Sequence, residues 1–125
     1  MPDQALPAEL REFLANHIDS IAELEALLLV RENCDVSWDA QSLAKRLYID
    51  EQQATEVLSQ LGAHGFVEGD ADGCRYAPAS EDLDRLAGLL ADYYRRHLIP
   101  ITELVHAKTR RIRQFADAFK LKKKD

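Results

Sequence analysis

Residues 50–61 read DEQQATEVLSQL, and how they fold decides the architecture of the chain. Asp50, followed three residues later by Gln53, forms a capping-box pattern with Asp in place of the usual Ser or Thr, so a helix starts here. Ala54, Val57, Leu58 and Leu61 recur at helical spacing and mark an inner stripe. Gly65 is placed to end the helix in the left-handed conformation. The outward set is then Glu51, Gln52, Gln53, Glu56, Ser59 and Gln60, which contains no Lys or Arg.

Upstream, residues 38–47 read as a helix capped by Ser37 or Asp39, with Ala40, Leu43, Ala44 and Leu47 facing inward. Tyr48-Ile49-Asp50 is a tight turn between the two helices. Before them Ile21, Leu24, Leu28 and Arg31 mark one face of a helix over residues 21–33, opened by the cap-type residues Asp19 and Ser20. Leu27, Leu29 and Val30 widen its apolar surface, so it is buried on more than one side. Pro7 fits the first turn of a short helix through His17 carrying Leu10, Phe13 and Leu14. Downstream, residues 66–68 and 74–77 read as strands around the turn-rich tip Gly69-Asp70-Ala71-Asp72-Gly73, closed by Pro78. Ser80 caps a long helix with Leu83, Leu86, Leu90 and Tyr93. Pro100 must interrupt or kink it, because proline removes a backbone donor and clashes with the preceding turn.

Helix, helix, tight turn, helix and hairpin in this order resemble the winged helix-turn-helix. The residues that carry the resemblance are SLAKRLYIDEQQATEVLSQLGAHGFVEGDADGCRYAP, residues 42–78. Leu43, Ala44 and Leu47 look like the first helix of the pair, Ile49 like the apolar residue that plugs the angle, and Leu58 to Val67 like a recognition helix running into the first wing strand. The flanking helices look like those of small bacterial MarR- or PadR-like regulators. The fold expected is mainly α with a small β-hairpin: an N-terminal helix over 1–19, a winged helix-turn-helix over 20–79 and a C-terminal helical extension over 80–125.

The resemblance implies a third helix that enters the major groove of DNA with its outward face. Gln52 and Gln53 can pair with adenine and Ser59 with several bases. Non-specific affinity comes from neutralised phosphates, and only Lys45 and Arg46 on the preceding helix and Arg75 on the hairpin supply cations nearby. Glu51 and Glu56, with Asp70 and Asp72 at the hairpin tip, oppose them. Two readings follow: a transcription regulator of modest DNA affinity, or an adaptor whose acidic face docks on a basic protein, where complementarity raises association rate and specificity. Each acid taken singly also fits a plain solvated face.

The 16 Lys and Arg against 22 Asp and Glu give a net charge of −6, unevenly spread. Residues 1–107 hold 8 Lys/Arg against 20 Asp/Glu, whereas residues 108–125 hold 8 against 2. Arg110, Arg111, Arg113, Lys120, Lys122, Lys123 and Lys124 make the chain end basic. Such an end suits nucleic acid or an acidic surface, or simply complements a helix C-terminus. Leu98, Val105, Ile112 and Phe119 recur every seven residues, with Ile101, Lys108 and Phe115 three residues further along. This seam predicts a homodimer of terminal helices; a helix packing back on its own domain is the alternative.

At 125 residues the chain fits one compact domain with helical extensions. No stretch approaches the roughly 20 apolar residues of a membrane span, and the acidic start lacks the features of a secretory signal. The cytoplasm is the expected location. Cys34 and Cys74 have no ligand-like spacing and read as two reduced thiols. His17, His64, His97 and His106 are scattered, with His97 and His106 flanking the proline. No metal, cofactor or catalytic residue is expected, since no nucleophile is paired with a base and no phosphate-binding loop is present. Trp38, Tyr48, Tyr76, Tyr93 and Tyr94 could line an effector pocket, although such aromatics are more often core.

Overall fold

The computed structural model describes residues 6–70, 72–108 and 110. Helices α1 (Ala8–His17), α2 (Ile21–Glu32), α3 (Ala40–Leu47) and α4 (Glu51–Ala63) precede strands β1 (Val67–Asp70) and β2 (Gly73–Tyr76). Helix α5 (Glu81–Arg96) and a further helix, α6 (residues 98–108), follow. The chain is therefore mainly helical with one small antiparallel hairpin, as its periodicities predict.

Helix starts are fixed by side chains that satisfy amide groups left without an intrahelical acceptor. Ser20 accepts from Glu23 N–H and Ser80 from Leu83 N–H, both at 3.1 Å. Asp39, not Ser37, caps α3: its carboxylate accepts from Ser42 N–H at 2.7 Å while Ser42 Oγ accepts from Asp39 N–H. Those bonds hold the Asp39 carboxyl below its ordinary pKa. Asp50 caps α4 through Gln53 N–H at 2.7 Å.

Trp38 is not helical, contrary to the sequence reading. It exchanges two backbone hydrogen bonds of 2.7 Å with Cys74 and adds an isolated bridge to the outer side of β2. Asp39 takes the cap position, so the helix cannot include the residue before it. The hairpin pairs Val67 with Tyr76 and Asp70 with Gly73, so both flanking glycines belong to strands. Gly69 has φ +122, and a Cβ there would lie 2.0 Å from Gly73 O, which leaves no room for any other residue. Gly65 has φ +87 where α4 hands over to β1, as expected.

One core runs through the three segments distinguished in the sequence. Leu10 of α1, Leu24 and Leu27 of α2, Leu61 of α4, Phe66 and Leu90 of α5 are all fully buried in it. Ion pairs tie α5 to the rest. Arg85 forms a two-bond fork with Glu9 of α1 at 2.9 and 3.0 Å. Asp84 accepts from the Tyr76 hydroxyl at 2.6 Å and lies 3.9 Å from Arg31 of α2.

The helical break falls at His97, and Pro100 sits in the first turn of α6, where its missing N–H has no partner to lose. Helix α6 then folds back. Ile101 and Val105 are buried in this chain's own core, so they are not available to a second copy as the heptad seam required. Leu98 stays 52% exposed, while Ile112, Phe115 and Phe119 lie outside the described residues. Lys108, the polar interruption of that seam, is an anchor: its ammonium donates to Leu14 O, Ala15 O and Ile18 O and pairs with Asp19 at 2.9 Å. A cation at the C-terminus of α1 also complements the helix dipole.

Candidate functional site

Helices α3 and α4 meet across the three residues Tyr48, Ile49 and Asp50. Tyr48 ends α3 in the left-handed conformation, φ 58 and ψ 45, and Ile49 N–H donates to Ala44 O at 3.1 Å. Ile49, half-buried, packs against the core between the two helices. Leu43 and Ala44 of α3 and Ala54, Val57, Leu58 and Leu61 of α4 are buried, which turns the opposite faces to solvent.

Glu51, Gln52, Gln53, Glu56 and Ser59 are all exposed on α4 and Gln60 is half-buried, as their spacing predicts. Lys45 and Arg46 are exposed on α3. Arg46 lies over the ring of Trp38, 5.4 Å from its centroid. Arg75 is exposed on β2 but stands opposite Glu68 of β1, so part of its charge is offset across the hairpin. Among the described residues Lys45 makes no hydrogen bond or ion pair. Asp72 is exposed at the tip; the side chain of Asp70 is not described. Of the basic chain end, Arg110 is exposed and the rest lies outside the described residues.

A groove of about 390 Å³ runs between α4 and the hairpin, lined by Thr55, Leu58, Ser59, Gly62, Gly69 and Cys74. Cys74 is at its buried floor, whereas Cys34 is exposed. The aromatic residues considered for an effector pocket do not converge. Trp38 is buried in its bridge, Tyr48 is 95% exposed, and Tyr93 stacks on His97 beneath Arg96.

Behind α4 the structure assembles a polar cluster that the sequence did not reveal. Glu23 of α2 is the one fully buried carboxylate among the described residues. It hydrogen-bonds with His64 Nδ1 at 2.7 Å and accepts from Asp19 N–H at 2.9 Å. Burial pushes the Glu23 carboxyl above its ordinary pKa, against the opposing effect of those bonds. His17 stacks on Phe13 at 5.2 Å and meets His64 edge-on at 5.9 Å, with its Nδ1 buried. Burial lowers the His17 pKa. His17 and His64, 47 positions apart in the sequence, thus come together. The cluster fixes the end of α4 to α2. Among the described residues no three His, Cys, Asp or Glu side chains are grouped to hold a metal ion, and no helix is long and apolar enough to cross a membrane.

No family model, no curated protein and no solved structure matches the chain.

Proposed function

We propose that this chain is a winged helix-turn-helix regulator of transcription that engages duplex DNA with modest affinity. The observation that carries the reading is the exposed outward face of α4, set across a three-residue turn from α3 and flanked by the hairpin. In this reading α4 enters the major groove. Gln52, Gln53 and Ser59 contact base edges, and Lys45, Arg46 and Arg75 meet phosphates. Glu51 and Glu56 repel the backbone and keep affinity low. The basic residues Arg110 to Lys124 add sequence-independent attraction. A twofold homodimer suits paired half-sites, and among the described residues of the C-terminal segment Leu98, Ile99 and Leu104 expose apolar surface for it. The protein binds rather than catalyses, and its setting is the cytoplasm.

Glu51 and Glu56, both outward, favour a second reading in which α4 docks on a basic protein. The double substitution Glu51→Lys with Glu56→Lys separates the two. On DNA it adds two cations and removes two repulsions, so affinity should rise and the salt slope steepen by up to about 1.8. Unchanged or weaker DNA binding by the double variant, measured by fluorescence anisotropy, contradicts the DNA reading.

A further inference from the structure

Tyr48 is the one residue other than glycine that adopts positive φ among the described residues. Its side chain is 95% exposed and makes no hydrogen bond or ring contact among them. Left-handed backbone is unfavourable for a residue with a Cβ, and glycine or asparagine is the usual occupant where a helix ends this way. The fold therefore gains nothing from the ring and would be better served without it. Unrelieved backbone strain at an exposed position points to a contact outside the chain.

We infer that Tyr48 is a contact residue for the DNA sugar-phosphate backbone at the edge of α4, an assignment that rests on the DNA reading above. The position fits. Tyr48 lies three residues after Lys45 on the α3 side and four before Gln52 on the α4 side, all three exposed. A tyrosine hydroxyl donates to a phosphate oxygen without needing a charge. That matters on a face where α4 brings carboxylates and no cation. The phenol supplies by hydrogen bonding some of what Lys or Arg supplies elsewhere, and its ring covers the adjoining sugar. Because Tyr48 is neutral, its contact contributes affinity without counterion release.

The test uses the full chain and the variants Tyr48→Phe, Tyr48→Asn and Tyr48→Gly, with a pool of random-sequence duplexes as the probe. Tyr48→Asn and Tyr48→Gly are expected to hold Tm or raise it by up to about 4 °C. DNA affinity is expected to fall about 3- to 10-fold in Tyr48→Phe and further in the other two, with the salt slope unchanged. A lower Tm in both Asn and Gly variants overturns the inference, because the ring then supports the fold. Wild-type affinity in all three variants, while Lys45→Glu weakens binding, overturns it and leaves the DNA reading standing. Absence of DNA binding by the wild type at low salt removes both.

Discussion

Glu23 shows how a single residue can serve two levels of structure. Its backbone amide takes the Ser20 cap, and its carboxylate reaches Asp19 N–H and His64. Removing a hydrogen-bond partner of a buried carboxyl group leaves it desolvated and unsatisfied, which is why such contacts resist substitution. The nearby His17 carries a pH signature. Burial depresses its pKa, so the folded chain releases its proton more readily than the unfolded one. That contribution to stability is present above about pH 6.5, the ordinary histidine value, and is lost as pH falls through the depressed pKa. Glu23 has the opposite sign: its raised pKa gives a contribution present below the ordinary carboxylate range and lost as pH rises. Urea denaturation at pH 7 and pH 5 should therefore find that wild type loses more stability on acidification than His17→Phe, whose ring can keep the stack on Phe13. Equal losses would show that His17 does not set the acid response. The Ser20-to-Glu23 spacing carries a local helix-start pattern. Nothing in the sequence links Glu23 to His64, 41 positions away, because that pairing exists only once α2 and α4 pack.

At the scale of elements, local chemistry made most boundaries legible. The inner stripe of α4, the Asp50 cap and the left-handed Gly65 follow from side-chain spacing and backbone sterics, and all three are present. Trp38 was misplaced because its bridge to Cys74 is a pairing across 36 positions, invisible to a helical period. The C-terminal rhythm is ambiguous for a related reason. A seven-residue rhythm describes an apolar stripe equally well whether the cover is a second copy or the chain's own α1. Ile101 and Val105 are covered from within, and Lys108 is the fastening. Lys108→Met should cost about 2–3 kcal/mol by urea denaturation, because carbonyls of α1 and the Asp19 carboxylate lose a charged donor. Faster hydrogen exchange should follow in α6 and at the end of α1. A variant as stable as wild type would mean that α6 is held by Ile101 and Val105 alone.

The whole molecule joins a mainly helical core to a surface of mixed electrical character. The sequence made the sign of each region plain, with acids on α4 and cations concentrated after residue 107. It did not show that Arg46 would lie over Trp38, that Arg75 would face Glu68, or that Tyr48 would stand exposed in a strained conformation. These placements limit the cations of the candidate site to a few groups on α3 and β2. A protein that binds DNA through so few folded-surface cations should bind weakly, with a salt dependence in proportion to the number of phosphates they neutralise. The measurement that bears most directly on this is the affinity for duplex DNA across salt concentrations, for wild type and for Lys45→Glu with Arg46→Glu. With Lys45, Arg46 and Arg75 on phosphates, log affinity should fall against log salt with a slope of at least about 2–3, steeper by whatever the basic chain end adds, and the double variant should bind at least tenfold more weakly with a slope shallower by up to about 1.8. No binding at low salt, or binding that the double variant leaves untouched, would contradict the account.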